Sequence, residues 1–337
     1  MVLLQSINGS GLLMPPEFCS CRSRLSAEER RVYDILCRSA SERRCRAEIP
    51  EAREIDADKV LHAVLRDQSM LFYLCKEGFR YTLGSRGITV SWEFTDSDAE
   101  IGRMIREIDE RLRKLPLLRQ GTQLARELRV HDLIQSMGLK TGRGSWEDHC
   151  IAGPLLYGRT VCEGTAQLFR LLCCMCGVHS ICVFGSGRNA DGTAPHSWNL
   201  VRLGNICAHV DAYWDCLLRT GPRGSRCYTY FNLSDRQIGI DHTWTDPFLP
   251  PCPEEKYSYF VMRHAAVNTR DEYRALLRTA QRRQRRGILA RLGPALGVAE
   301  CMQEVMAFPW GAGVTCFTHS YHDVQRVLSV WMERAQR

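Results

Sequence analysis

A chain of 337 residues is long enough to bury one large core or two medium ones. With 45% hydrophobic and 25% charged residues it has the make-up of a folded globular protein, which excludes wholesale disorder. The formal charge of +7 could draw polyanions, yet the cations are overwhelmingly arginine, with lysine only at Lys59, Lys76, Lys114, Lys140 and Lys256. Codon usage explains that imbalance as well as a partner does.

The opening residues, MVLLQSINGSGLLMPPEF, hold no basic region and no apolar run of signal-peptide length, and no later stretch approaches a membrane span. A cytoplasmic location without membrane contact is expected. The seventeen cysteines are scattered through apolar runs of a long chain, so small buried thiols are expected rather than a disulfide framework.

In chain order, Ser26 and Glu29 form a capping-box pattern ahead of Arg31, Val32, Ile35 and Leu36, so a helix is predicted from Ala27 to the polar stretch Ser41–Arg46. A second helical pattern covers Lys59–Asp67. Short extended runs at Met70–Cys75, Phe79–Leu83 and Ile88–Phe94, broken by Gly78, Gly84 and Gly87, read as strands joined by turns. From Asp98 to Gly138, Ile101, Ile105, Ile108 and Leu112, then Leu124, Leu128, Leu133 and Ile134, recur at helical spacing, with Pro116 separating two helices.

After Cys162, Ala166, Phe169, Cys173 and Cys176 share one face of a helix that Gly177 ends, which puts Cys162 near its N-terminus. Strands are predicted at Ser180–Phe184, His196–Leu203 and Ile206–Ala212, with a loop at Gly185–Gly192 and a turn at Gly204. The C-terminal third holds a turn-rich stretch to Cys252, a strand candidate at Tyr257–Met262 and a helix at Asp271–Arg285.

A thiol is mostly protonated at neutral pH, and a good nucleophile needs a helix N-terminus or an imidazole beside it. The stretch Arg159-Thr160-Val161-Cys162-Glu163-Gly164 offers the first, for on the order of 1 kcal/mol toward thiolate. His196 heads a strand reading His-Ser-Trp-Asn, and Asp211 lies on the next, in chain order Cys, His, Asp. In such a triad the imidazole draws the thiol proton and later returns it to the leaving amine, while the carboxylate fixes its tautomer. By spacing alone this is weak evidence in a cysteine-rich chain.

The blocks GRTVCEGTAQLFRLL, PHSWNLV and HVDAYWD resemble, in order and spacing, the core of the transglutaminase-like superfamily over roughly residues 145–216. Outside it, His131-Asp132, His149 with Gly153, and YFNLSDRQIGIDH at Tyr230–His242 resemble bacterial members of unknown substrate. The resemblance implies an α+β protein with a papain-like fold, a nucleophile helix packed on an antiparallel sheet. It makes Cys162 the nucleophile, His196 the base and Asp211 the orienting acid, with the Cys162 amide as an oxyanion donor. It also implies acyl chemistry on amides through a thioester, as a peptidase or amidase or as protein-glutamine acyl transfer, on a protein or peptide substrate.

Three regions are expected: 1–115, an N-terminal helix-and-strand region; 116–245, the catalytic core; and 246–337, a C-terminal αβ extension. The chain departs from the family pattern at Ala152, Thr165, Cys207 and Ala208, where small residues replace bulkier ones. A catalytically inactive binding or scaffold module is therefore the alternative reading.

Asp215 ranks second to Asp211 as the acid, and His131, His149 and His242 are assigned structural roles. Cys173, Cys174 and Cys176 lack a second ligand pair at zinc-finger spacing, Gly185-Ser186-Gly187 precedes no helix, and no acidic loop of calcium-binding type is present. Neither a metal nor another cofactor is expected. The row Arg274, Arg278, Arg282 and Arg286 reads as a solvated helix face, so nucleic acid is not the expected partner. The sequence leaves the oligomeric state open.

Overall fold

A computed structural model describes residues 5–7, 11–50, 55–85, 87–218, 225–246, 249–311 and 314–334. The chain is α+β and divides into two compact units, residues 1–184 with 196–205, and residues 185–195 with 206–337. No helix among the described residues is long and apolar enough to cross a membrane.

The first unit opens with β1 (Gln5–Ile7) paired antiparallel to β2 (Gly11–Leu13). Helix α1 (Ala27–Ser41) starts where the capping box requires: the Ser26 hydroxyl accepts from the Glu29 amide, and the Glu29 carboxylate accepts from the Ser26 amide at 2.7 Å. Next come β3 (Arg46–Pro50), α2 (Ala57–Asp67), β4 (Arg80–Gly84) and β5 (Gly87–Ser91). The three strands form an antiparallel sheet with β5 in the middle.

Helix α3 (Asp98–Lys114) buries Ile101, Met104, Ile108 and Leu112 along one stripe. Its solvent face carries spaced ion pairs such as Glu107–Arg111 and Asp109–Arg113. Helix α4 (Gln123–Ser136) follows, then β6 (Lys140–Thr141) and β7 (Arg159–Thr160), paired in parallel. Helix α5 (Cys162–Met175) is buried over every residue from Gly164 to Cys174, so it runs through the core rather than along a surface. Gly177, at φ +71°, ends it with a left-handed turn. Strands β8 (His179–Asn189) and β9 (Gly192–Leu203) complete this unit with their outer halves, and β8 lies between β9 and β11 (His242–Thr243) in its sheet.

The second unit takes the tip of the β8–β9 hairpin, then β10 (Ile206–Val210), α6 (Ala212–Leu217), α7 (Asp235–Ile238) and β11. Its C-terminal part is α8 (Tyr259–Met262), β12 (Ala266–Val267), α9 (Arg270–Arg282), β13 (Gly287–Leu292), α10 (Val298–Ala307), β14 (Val314–His322) and β15 (Val327–Arg334). These strands form a mixed sheet ordered β12-β13-β15-β14. Tyr273, Leu277 and Ala280 of α9 pack with Ile288, Ala290, Leu328 and Val330 in one apolar core.

Four local expectations are corrected. Met70–Cys75 is a run of tight turns, with Leu71 and Leu74 amides bonded three residues back, and only Leu74 bridges to Phe94; a short apolar run does not distinguish strand from buried turn. The Gly185–Gly192 stretch is mostly ladder, because Ser186 and Gly187 pair with Thr243 and His242 and the turn is confined to Asn189–Gly192. Tyr257–Met262 contains a helical turn, closed by the Met262 amide on the Ser258 carbonyl at 3.0 Å. Asp211 stands just beyond β10 as the N-cap of α6, not within a strand. Strand β3 begins where the polar stretch after the first helix ends and alternates exposed and buried residues.

Candidate active site

In the first unit, Cys162 is the first residue of α5 and is partly exposed, whereas the residues after Glu163 are sealed in the core. The loop before it is held by Asp148, whose Oδ2 accepts from the amides of Arg143 at 2.8 Å, Gly144 at 3.1 Å and Ser145 at 3.2 Å. Its Oδ1 lies 3.0 Å from Arg159 Nε. Burial raises the Asp148 pKa, but these amides and Arg159 outweigh burial and hold it below the ordinary carboxylate value. The Val161 amide then bonds the Asp148 carbonyl at 3.1 Å, so the residue before the thiol is fixed by the same loop.

Gly164 explains why that loop lies so close. A Cβ there would press on the Asp148 carbonyl and come within 2.7 Å of Thr160 Oγ1 and 3.0 Å of the Cys150 carbonyl. Only glycine lets the first turn of α5 meet the loop. Beside the thiol, Glu163 Oε2 lies 3.1 Å from His149 Nδ1 on an exposed edge.

His196 is on β9, 7% exposed, with its ring stacked on Trp198 at 6.1 Å between centroids. Three residues on, Asn199 Nδ2 donates to the Ala166 carbonyl of α5 at 3.0 Å. The strand bearing His196 is thereby tied to the helix headed by Cys162, four residues along each element from the bond or fewer. Of the small residues noted in the sequence, Thr165 is buried against Thr160, hydroxyl to hydroxyl at 3.2 Å, and Ala152 is wholly buried.

The helix itself is pinned from below. Arg170, fully within the core, donates through Nη1 to the Asp67 carbonyl at 2.5 Å and through Nη2 to the Phe18 carbonyl at 2.9 Å. Its Nη2 also lies 3.6 Å from Asp67 Oδ1. Burial pushes the Asp67 carboxyl up, against the pull of Arg170 and of the Cys21 and Arg22 amides.

In the second unit, Asp211 is completely buried. Its Oδ1 accepts from the Trp214 amide at 3.0 Å, which is the cap of α6, and its Oδ2 is 3.2 Å from His242 Nε2. His242 Nδ1 is 2.6 Å from Asp241 Oδ1, and Asp241 Oδ2 accepts from the Tyr230 hydroxyl at 2.7 Å and Gln325 Nε2 at 3.0 Å. Burial lowers the His242 pKa, but the two carboxylates outweigh it and leave it raised above the ordinary histidine value. The Trp214 ring, 4.4 Å from the imidazole between centroids, shields the pair.

His242 and Asp241 are the residues that sequence reasoning undervalued. The signal was the YFNLSDRQIGIDH block, which carries Tyr230, Asp241 and His242 together. Asp215, the second-ranked acid, serves the backbone, with Oδ1 accepting from the Tyr230 amide at 3.1 Å. His131 is buried with Nδ1 3.1 Å from Gln135 Nε2, a packing role. Arg274 of the arginine row is paired with Glu304 at 2.7 Å.

No family model matches the chain, and no curated protein matches it. Among solved structures it is similar to one described as "Crystal structure of a TGase", at 12% identity and a TM-score of 0.31, over 69% of this chain and 67% of that one. Likeness of that degree leaves the chemistry to be argued from the residues themselves.

Proposed function

We propose that this chain is a transglutaminase-like cysteine enzyme with a papain-like core, acting on amide bonds of a protein or peptide through a thioester. Cys162 is the nucleophile, His196 the general base and acid, and Asp211 the acid that orients it. The Cys162 thiolate adds to the amide carbon, the amine leaves with the proton taken up by His196, and water or a second amine then releases the acyl group from sulfur. Water gives hydrolysis; an amine gives transfer.

The observation that carries the reading is the Asn199–Ala166 hydrogen bond, which joins the strand of His196 to the helix of Cys162. Two sequence blocks that resemble one family thus meet through a side chain of one of them. The position of Cys162 at the start of a 14-residue helix supports it further, since amides and dipole there favour a thiolate.

The test is iodoacetamide labelling of Cys162 across pH in the wild type and in His196→Ala. Trypsin releases Cys162 in the peptide 160–170, which holds no other cysteine, so mass spectrometry follows it alone. Wild-type labelling at neutral pH should be fast and should slow at least about tenfold in the variant. Equal labelling rates across pH in the two proteins would remove the catalytic reading in favour of an inactive binding module. Incubation with a peptide library, read for cleavage, deamidation and crosslinks, then defines the reaction.

A further inference from the structure

The end of β10 carries a second group of chemistry-bearing side chains that the proposed acyl chemistry does not use. His209, Asp235 and Cys252 converge in the second unit, each offering one ligand atom, and those atoms all lie within 4.8 Å of one another. They come from three separate elements: His209 from β10, Asp235 from the first position of α7, and Cys252 from the segment before α8.

The backbone fixes each contributor. The His209 amide and carbonyl exchange hydrogen bonds with Leu233, both at 2.9 Å. The Asp235 amide donates to the Cys252 carbonyl at 2.8 Å, and the Cys252 amide donates to Asp235 Oδ2 at 2.7 Å. With Oδ2 committed, Oδ1 is turned to His209 Nε2 at 2.9 Å. His209 and Cys252 are buried, while the Asp235 side chain is 39% exposed and leaves a way in from solvent.

We propose that His209, Asp235 and Cys252 form a site for a thiolate-tolerant divalent cation of the zinc type. Imidazole, carboxylate and thiolate are the donors such an ion takes, and a protein-held tetrahedral site needs three or four of them. With three protein donors, the fourth position is left to water, which the exposed side of Asp235 admits. A buried thiol beside a carboxylate is an arrangement that a dication neutralises.

On binding, the proton of His209 moves to Nδ1 so that Nε2 ligates, and the Cys252 thiol proton passes to solvent. The bound ion would clamp β10 to the segment around residue 252. Asp211 lies two residues beyond His209, so the clamp holds the strand end from which Asp211 projects.

The experiment titrates metal-free full-length protein with Co(II), then with Zn(II) in competition. One equivalent of Co(II) should produce thiolate-to-metal charge transfer and the strong visible bands of a tetrahedral ion, and Zn(II) should abolish them. Cys252→Ser and His209→Gln should each weaken zinc binding by at least roughly 100-fold, the upper end of what losing even an outer hydrogen-bond partner costs. X-ray absorption on the wild-type zinc form should show sulfur together with nitrogen or oxygen donors, a measurement independent of how the variants fold. Absence of a stoichiometric tetrahedral complex in the wild type overturns the proposal. So do sulfur-only coordination and bands unchanged in folded Cys252→Ser, which would place the ion among the other cysteines.

Discussion

The imidazole of His242 stands between two buried carboxylates, 3.2 Å from Asp211 Oδ2 and 2.6 Å from Asp241 Oδ1. A neutral ring has one N–H and could satisfy one of them; the imidazolium has two and satisfies both. Protonation therefore belongs to the folded state, consistent with a pKa raised by those carboxylates against burial.

That linkage has a sign. A group whose folded pKa lies above its unfolded value near 6.5 contributes stability that is complete below that value and lost as pH rises through the folded pKa. The second unit should lose stability on going from pH 6.5 upward, read as a falling urea midpoint. In His242→Gln the slope should flatten, and at pH 6 the cost should be about 3–5 kcal/mol, because a buried carboxylate pair is left without its cation. Parallel midpoint curves for the two proteins would contradict the assignment of the charge to His242.

Arg170 plays the corresponding part in the first unit. Replacing it with methionine keeps the bulk but strands Asp67 and leaves the Asp67 and Phe18 carbonyls without their donor. The expected loss is about 3–5 kcal/mol. Adding Asp67→Asn should recover part of it, because the neutral amide removes the uncompensated charge while its one oxygen still accepts from one of the two amides, Cys21 or Arg22, that the carboxylate oxygens served separately. Additive losses in the double-variant cycle would show that the two side chains do not act as a pair.

What could be read from the sequence was local. The Ser26–Glu29 box, the helical stripe of Ile101, Ile108 and Leu112, and the helix opening at Cys162 depend on neighbours three or four residues away, and each stands where its pattern places it. Asp211 was misplaced by one element, because Val210 ends a strand and Asp-Ala-Tyr-Trp starts a helix with no intervening glycine or proline. Its partner His242 lies 31 residues on, and the Asn199–Ala166 bond spans 33. Pairings at that distance are set by packing, which periodicity does not encode. The Ser186–Gly187 ladder was hidden for the opposite reason: glycine signals a turn in sequence but here permits strand pairing with His242 and Thr243.

Asp148 should act as a structural carboxylate. With its folded pKa held below 3.8, its contribution is present above that value and lost as pH falls through the folded pKa. Asp148→Asn keeps an acceptor for the three loop amides but loses the Arg159 pairing, so a loss of about 1–3 kcal/mol is expected at pH 7. The difference from wild type should shrink as the pH is lowered. A difference that grows in acid would show that the carboxylate is not ionised in the fold.

Gly164→Ala tests whether the loop and the nucleophile helix are in contact for a reason. The new methyl meets a backbone carbonyl, which cannot swing aside as a long side chain would, so the first turn of α5 or the Asp148 loop must move. Overpacking of this kind costs about 1–3 kcal/mol, a loss the fold should survive. Cys162 stands two residues earlier on the turn that moves, so its labelling by iodoacetamide should slow. Gly177→Ala offers a control in the same unit, since a φ of +71° at the far end of the same helix suits glycine and strains any other side chain. It should lower stability while leaving the rate of Cys162 labelling unchanged. Equal effects of the two substitutions on the thiol would mean that Gly164 matters for stability alone.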